Sequence, residues 1–222
     1  MQVQIHSFVH MLFISMIALF PVINPFGSAL IVNPYLSQLT DVEEKAAVKK
    51  ITLYAFSICV VTLFAGHWIL ELFGLTIPVI QIAGGIMICK MGWEALSANV
   101  NKQNAEKNVG QVSESNSESD INDMLFYPLT FPVTTGAGTM AVLFTLSAHS
   151  ADAHWEKYLV NTAAILLAII IMCLLVYAFY GNTKKISKRL GTNGQTIANR
   201  IIAFLIFCVG LQIAITGIKS LV

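Results

Sequence analysis

Two short motifs place helix-breaking residues and hydrogen-bonding side chains inside strongly apolar segments. FPVINPFGSALIV occupies residues 20–32, and YPLTFPVTTGAGTM occupies residues 127–140. A proline inside a helix removes a backbone hydrogen bond and clashes with the preceding turn, at a cost of about 3 kcal/mol. The freed N–H groups attract negative charge, and the freed carbonyl groups attract positive charge. The chemistry that these motifs predict is recognition of a small zwitterion, such as a neutral amino acid, by exposed main chain.

The candidate binding residues are the prolines, glycines and short polar side chains at the two predicted breaks. In the first motif they are Asn24, Pro25, Gly27 and Ser28, and in the second they are Pro132, Thr134, Thr135, Gly136, Gly138 and Thr139. Isolated proline and glycine in a membrane helix often only kink it or allow close packing. A kink alone needs no asparagine or threonine, so the occurrence of both motifs favours binding.

Composition places these motifs in a membrane protein. Of 222 residues, 56% are hydrophobic and 11% are charged, and the mean hydropathy is +0.71. A helix needs about 20 apolar residues to cross a bilayer. Six stretches satisfy this requirement, at about 8–32, 51–73, 75–96, 124–148, 158–180 and 197–218. The sequence therefore predicts an all-α, polytopic membrane protein with six transmembrane helices.

The spans divide into two repeats. Residues 97–123 are polar and rich in serine and asparagine, which predicts a flexible linker between 1–96 and 124–222. Each half contains three spans and begins with one proline motif, and the third spans match more faintly. Because three is odd, the second repeat is expected to be inverted relative to the first, as in many secondary transporters. The two halves are predicted to form one integrated membrane domain whose first helices are broken.

Basic residues predict the orientation. Nine of them flank the spans on one side: Lys45, Lys49, Lys50, Lys102, Lys107, Lys184, Lys185, Lys188 and Arg189. Only Lys157 and Lys219 fall on the other side. Loops rich in lysine and arginine stay in the cytoplasm. We therefore expect a cytoplasmic linker and both termini on the periplasmic side of a bacterial inner membrane.

Several other activities are disfavoured. The balance of 13 basic and 12 acidic residues does not suggest binding to nucleic acid. There is no His-Glu-x-x-His motif, no mid-span aspartate and no ring of charges typical of channels. The four cysteines are interpreted as packing residues. The sequence predicts neither an enzyme nor a cofactor or metal site.

Three further polar features have structural interpretations. Lys90 and Glu94 lie four residues apart on one helix face, which favours an ion pair or a lysine that reaches the interface. Asn33-Pro34 is expected to end the first span. Five histidines fall on the outer side, and scattered interfacial side chains explain them better than a metal or pH-sensing cluster: His6, His10, His67, His149 and His154.

The sequence resembles the MarC family of bacterial inner-membrane proteins. The resemblance rests on PVINPFGSALIV, FGLTIPVIQIAGGIMI, YPLTFPVTTGAGTMA and GLQIAITGI, in order along nearly the whole chain. It implies six spans and, from SnatA-type members, movement of small neutral amino acids. The family usually has Gly-Pro-Gly where this chain has Gly136-Ala137-Gly138. Losing that proline restores an N–H group, so the second break is expected to be softer.

The resulting prediction is an inner-membrane transporter that exports or exchanges small neutral amino acids or similar zwitterions. Its partners are the solute and the lipid bilayer, and the sequence leaves a homo-oligomer open. The alternative is an integral membrane protein that transports nothing and has a structural or partner-binding role. The absence of a mid-span carboxylate in the broken helices leaves facilitated efflux, exchange or coupling through backbone carbonyls as the available mechanisms.

Overall fold

The computed structural model describes residues 2–97, 124–150 and 155–221. These residues form eight helical segments and contain no strand. The segments are α1 (Gln2–Ile23), α2 (Pro25–Leu36), α3 (Asp41–Phe73), α4 (Ile77–Ser97), α5 (Leu125–Thr134), α6 (Ala137–Ser150), α7 (Trp155–Gly181) and α8 (Thr183–Lys219). The predicted linker lies outside the described residues, apart from its first position.

Hydropathy accounts for the spans. Five helices are long and apolar enough to cross a membrane, and the bent pair α5–α6 brings the number to six. The first of these spans, His6–Leu36, contains both α1 and α2. Every apolar stretch identified in the sequence coincides with one of these helices. The all-α class and the membrane-spanning architecture are therefore confirmed.

Local sequence sets the ends of α3. Thr40 accepts a hydrogen bond from the Glu43 amide, and the Glu43 carboxylate accepts one from the Thr40 amide, which is a capping box. At the other end, Gly74 adopts a left-handed conformation with φ of 60° and closes the helix. Helix α8, by contrast, has no such stop within its predicted span at 197–218. The only irregular position in α8 is Gly191, with φ of 62°, and it lies before that span.

Helix α7 lies at the centre of the bundle. It packs against α1, α2 and α3, and its fully buried side chains include Ile165, Ile169 and Met172. Large apolar side chains on other helices, such as Phe13 and Trp68, face outward. Outward-facing apolar side chains and a buried central helix are expected where lipid rather than water surrounds the protein.

Helices α4 and α8 pack directly through their backbones. A Cβ atom added at Gly85 would lie 2.5 Å from the Ala214 nitrogen, and one added at Gly210 would lie 2.5 Å from the Cys89 nitrogen. At Gly92 it would lie 2.6 Å from the Phe207 nitrogen. Small residues at such positions allow membrane helices to approach closely. The glycines therefore determine how tightly the third helices of the two halves are joined.

Hydrogen bonds identify the two ends of the bundle. The Ser7 hydroxyl donates to Asn161 Oδ1 at 3.3 Å, which joins the starts of α1 and α7. At the opposite end, the Thr183 hydroxyl donates to the Ala29 carbonyl at 2.9 Å. We call these the Ser7 end and the Thr183 end. Each candidate span runs from one end to the other.

An ion pair closes the Thr183 end. Lys184, which precedes the apolar part of α8, contacts the carboxylates of Glu44 and, at 3.8 Å, Asp41. Its hydrogen bond to Glu44 raises the pKa of Lys184 above the ordinary lysine value of 10.5. Lys184 also donates to the Leu39 carbonyl at 3.3 Å. The starts of α3 and α8 are thereby held together.

Candidate functional site

The first break lies between α1 and α2 at Asn24. This residue adopts a left-handed conformation with φ of 45° and ψ of 62°, which asparagine tolerates better than most residues. Its side-chain oxygen accepts a hydrogen bond from the Gly27 amide at 3.1 Å and caps α2. Pro25 occupies the first turn of α2, where its missing N–H group is least harmful. Since Pro25 cannot donate, the Pro21 carbonyl loses its helical partner.

Gly27 makes room for the asparagine cap. A Cβ atom at position 27 would lie 2.2 Å from Asn24 Nδ2, which is far inside van der Waals contact. The Ser28 hydroxyl completes the turn by donating to the Asn24 carbonyl at 2.7 Å. Three of the predicted site residues therefore build the break itself. The Asn24 side-chain oxygen and the Ser28 hydroxyl already have partners within the chain.

The second break is more extensive. Within α5, Tyr127 and Phe131 have extended backbone angles, as expected for residues that precede a proline. Both Tyr127–Pro128 and Phe131–Pro132 are cis peptide bonds. Pro128 and Pro132 cannot donate to the carbonyls before them, so the regular helical ladder is interrupted.

Threonine hydroxyl groups replace part of that ladder. Thr130 donates to the Leu125 carbonyl at 2.7 Å, and Thr134 donates to the Leu129 carbonyl at 2.8 Å. Thr135 donates to the carbonyl of Thr130 through its hydroxyl at 3.3 Å and through its backbone amide at 2.9 Å. Each of these bonds reaches five residues back. The threonines thus stabilise a wide, irregular turn that α-helical bonding could not.

The expectation of a softer second break is wrong. Helices α5 and α6 are bent by 61°, whereas no bend above 40° separates α1 from α2. Ala137 does begin a helix, as the restored N–H group allows. The bend lies just before Ala137, at Thr135, whose backbone is extended with φ of −129° and ψ of 90°. At the first break, by contrast, only Asn24 leaves the helical conformation.

Tyr180 joins the two breaks. Its hydroxyl lies 2.7 Å from the Thr134 hydroxyl, and the Ser28 hydroxyl is a second polar neighbour. Tyr180 and Thr134 are fully buried, and Ser28 is nearly so. One predicted residue from each motif therefore meets at a single side chain from α7.

Sequence reasoning missed Tyr180. A tyrosine near the end of an aliphatic span is usually an interfacial anchor, so its position suggested no role at the breaks. The one signal that could have identified it is the need of a buried phenol for a hydrogen-bond partner. Hydroxyl partners are available in both motifs.

The remaining predicted residues lie around the start of α6. Thr135, Gly136, Gly138 and Thr139 are buried there, whereas Pro132 is exposed. A Cβ atom at Gly138 would lie 2.8 Å from Ile88 Cγ1, so this glycine lets α4 approach the second break. The buried Thr139 hydroxyl has no hydrogen-bond partner among the described residues. It is the one predicted side chain whose hydrogen-bonding capacity the described chain leaves unused.

Both breaks lie within a few residues of the middle of their spans, on the side of the Thr183 end. Helix α1 has 22 residues and α2 has 12, and α5 has 10 residues against 14 in α6. The longer half of each broken span runs toward the Ser7 end.

The other polar predictions have simpler outcomes. Lys90 and Glu94 form the expected pair at 3.7 Å, with both side chains largely exposed. Helix α2 continues past Pro34 to Leu36, and Asn33 donates to Ser187 at 3.3 Å, so the prediction that Asn33-Pro34 ends the span is wrong. In this turn the proline is tolerated within the last part of the helix.

The histidine prediction is tested only in part. The rings of His6 and His10 stack with centroids 6.4 Å apart. Within the described chain, no group of three histidine, cysteine, aspartate or glutamate side chains could hold a metal ion. The side chains of His67, His149 and His154 lie outside the described residues.

Comparison with known proteins establishes the family. A profile of the MarC family integral membrane proteins matches residues 9–222. The chain is 29% identical over 216 residues to the membrane protein YvbG of Bacillus subtilis, covering 97% of this chain and 96% of that protein. It is 24% identical over 212 residues to the inner membrane protein MarC of Citrobacter koseri, with 94% of each chain covered. The MarC protein of Escherichia coli is 24% identical over 213 residues, again with 94% of each chain covered. No solved structure matches the chain. A match over residues 9–222, a range that includes both proline motifs, means that the chain belongs to the MarC family of integral membrane proteins.

Proposed function

We propose that the protein is a transporter, not an enzyme, that exports or exchanges small neutral amino acids across a bacterial inner membrane. One observation carries this proposal: two interrupted membrane helices, one from each half of the chain, meet at the buried hydroxyl of Tyr180. Broken backbone inside a membrane is tolerated only where protein buries it or where it lines a cavity. Two breaks brought to one point are typical of a solute pathway.

The chemistry of the breaks favours a solute without net charge. The predicted site residues are prolines, glycines, hydroxyls and one amide, so none can balance a net ionic charge. The amino-terminal ends of α2 and α6 carry partial positive charge, and the carbonyl ends of α1 and α5 carry partial negative charge. A zwitterion can interact with both kinds of end. The unpartnered hydroxyl of Thr139 lies in the first turn of α6 and supplies a further hydrogen bond.

The packing of the helices supports two inverted repeats. Helix α4 packs against its proposed counterpart α8, and α3 packs against its counterpart α7. The contact of α1 with α7 has a counterpart in the contact of α5 with α3, and the contact of α2 with α7 has one in the contact of α6 with α3. Exchanging the two halves therefore exchanges contacts that exist. An internal repeat predicts this pattern, and the odd number of spans in each half favours the inverted orientation.

The arrangement of basic residues supports the proposed orientation. The contact of Lys184 with Glu44 places the α2–α3 and α7–α8 connections at the same end of the bundle. Most of the chain's basic residues flank these two connections. By the positive-inside rule, the Thr183 end then faces the cytoplasm and the Ser7 end faces the periplasm. Both termini would be periplasmic.

Transport by reconstituted protein tests the proposal. Proteoliposomes loaded with unlabelled L-alanine should exchange it for external labelled glycine, L-alanine, L-serine or L-threonine, whereas protein-free liposomes should not. Asn24→Leu removes the cap at the first break, and Gly136→Leu inserts a side chain at the second. Each should lower the initial rate at least about tenfold: Asn24→Leu loses one hydrogen bond, and Gly136→Leu places a Cβ atom 2.9 Å from the Pro132 carbonyl oxygen.

Matched controls separate loss of function from loss of structure. Asn193→Leu makes the same change at an exposed position of α8, and Gly181→Leu adds a side chain where nothing lies within 4 Å of the new Cβ. Both should transport at the wild-type rate. If well-folded wild-type protein exchanges none of the four solutes, the transport proposal is wrong and a structural or partner-binding role takes its place.

A further inference from the structure

A cavity of about 440 Å³ lies in the half of the bundle toward the Ser7 end. Helices α1, α4, α6, α7 and α8 all contribute to its wall, so it is built from both halves of the chain. Its volume falls within the range of small-molecule sites. By the volume of liquid water, about 30 Å³ per molecule, it has room for roughly a dozen waters. The cavity is therefore large enough for one small solute and some of its hydration.

The wall is mostly apolar, with a small set of polar groups that includes the imidazole of His10. Amides are contributed by Gln81, Asn161 and Gln212, and hydroxyls by Ser7, Thr145 and Thr216. Of the described residues that line the cavity, none is an aspartate, glutamate, lysine or arginine. An apolar pocket with a few convergent polar groups is the usual form of a small-ligand site. A lining without carboxylate, ammonium or guanidinium groups disfavours a solute with net charge.

Gln81 provides the strongest indication of a ligand. The residue is 8% exposed, and its side-chain oxygen has no hydrogen-bond partner among the described residues. A buried acceptor without a partner costs about 1–3 kcal/mol and is uncommon in native structures. The base of the side chain packs against α8, because a Cβ atom at Gly217 would lie 2.9 Å from the Gln81 Cβ. The oxygen is therefore a buried acceptor for which the described residues supply no donor.

Asn161 is suited to the opposite role. Its oxygen accepts the hydrogen bond from Ser7 at 3.3 Å. An asparagine amide has two further N–H donors on its nitrogen. With the oxygen engaged by Ser7, the nitrogen can donate to an acceptor in the cavity. The wall thus combines a free acceptor with an oriented donor.

The cavity also lies close to the breaks. Ala18 of α1 and Val142 of α6 are part of its wall. At a rise of about 1.5 Å per residue, Val142 is only about 4.5 Å along the axis from Thr139, and Ala18 is about 9 Å from Asn24. The unpartnered Thr139 hydroxyl therefore lies between the cavity and the second break.

We propose that this cavity is the solute-binding chamber of the protein, and that it binds a small zwitterion with an apolar or hydroxylated side chain. In this chamber Gln81 accepts a hydrogen bond from the solute ammonium group, and Asn161 donates to its carboxylate. Apolar residues such as Ile14 and Leu146 surround the side chain. The assignment deepens the transport proposal and rests on it for the identity of the solute, but it predicts binding whether or not the solute crosses the membrane.

Equilibrium binding to purified full-length protein in detergent tests the assignment. The probes are labelled glycine, L-alanine, L-serine and L-threonine, with L-glutamate and L-lysine as charged comparisons. Gln81→Leu should weaken L-alanine binding at least about tenfold, the equivalent of one lost hydrogen bond. Gln38→Leu makes the same substitution at an exposed position between α2 and α3 and should leave binding unchanged. L-Glutamate and L-lysine should bind at least about tenfold more weakly than L-alanine.

Folding and transport are measured alongside binding so that each result decides the question. Because Gln81→Leu removes a buried acceptor that has no partner, its melting temperature should not fall below that of the wild type. Gln212→Leu, at an exposed side chain of the same wall, should also weaken binding. Unchanged L-alanine affinity in both variants, or no binding of any neutral probe to the wild type, would overturn the chamber assignment. Equal affinity for the charged probes would overturn the class of solute. Binding that depends on Gln81 in a protein that exchanges nothing would support the chamber and refute transport.

Discussion

Asn24 offers a direct test of how the first break is built, because two of its properties can be removed separately. The residue supplies both a left-handed backbone, with φ of 45°, and a side-chain cap on the Gly27 amide. Asn24→Gly keeps the backbone conformation accessible and loses the cap, which is expected to cost only a few tenths of a kcal/mol. Asn24→Ala loses the cap, at about 1 kcal/mol, and places a Cβ atom in a left-handed turn, at a further 1–2 kcal/mol or so. The alanine variant should therefore be less stable than the wild type by about 2–3 kcal/mol.

Reversible unfolding in mixed detergent micelles, followed by circular dichroism, measures these differences. Transport by the same preparations in proteoliposomes provides the functional readout. If the break must keep its geometry for the solute to pass, Asn24→Gly should retain more transport than Asn24→Ala. Equal stabilities for the glycine and alanine variants would refute the reasoning, because the left-handed conformation would then contribute nothing. A stable alanine variant with normal transport would show that the break itself is dispensable.

Three further changes probe other contacts. Gly27→Ala places a Cβ atom 2.2 Å from the Asn24 amide, so it should displace the cap and destabilise the protein by about 1 kcal/mol or more in the same unfolding assay. Tyr180→Phe removes the hydroxyl between the two breaks and should lower stability by about 1 kcal/mol and slow exchange of L-alanine; an unchanged exchange rate would separate this contact from transport. Lys184→Met removes the ion pair with Glu44. Because the pKa of Lys184 is raised in the folded protein, the pair stabilises it at pH values below the ordinary lysine pKa of 10.5 and is lost as the pH rises through the higher folded value. The melting temperatures of this variant and the wild type should differ near neutral pH and converge only in strong alkali, and a difference that disappears between pH 7 and pH 9 would contradict the assignment.

The sequence predicts the spans and the positions of the breaks well because both depend on local properties. About 20 consecutive apolar residues leave a membrane helix little alternative, and Pro25 and Pro132 cannot take part in a regular ladder wherever they lie. The asparagine cap is local as well, since Asn24 and Gly27 are three residues apart. Each of these features depends on residues that are close together in the sequence, which is why the sequence alone could predict it.

The bend at the second break and the role of Tyr180 could not be predicted in the same way. The bend lies at Thr135, and threonine as a residue type does not specify the extended backbone that it has there. Tyr180 is separated by 46 residues from Thr134, its partner at the second break. Such a contact exists only after the helices have packed, and nothing in the hydropathy of α7 distinguishes this tyrosine from an interfacial one.

The cavity could be predicted from the sequence even less than the contact of Tyr180. Gln81 and Asn161 are each the kind of isolated polar residue that a membrane helix often carries near one end, and separately they indicate nothing. Their proposed role becomes visible only when five helices pack and place both residues in the wall of one cavity. Thr139 was predicted from its motif, but the prediction could not distinguish a hydroxyl with a partner from one without.

The glycine contacts between α4 and α8 limit how the protein can change shape. With no side chain between Gly85 and the backbone of α8, the two helices cannot slide past one another without first separating, which would lose their close van der Waals contacts. Helices α4 and α8 should therefore move as one rigid body in any conformational change. The remaining helices must then supply the movement, and the expected hinge is the bend between α5 and α6, which lies next to α4 at Gly138.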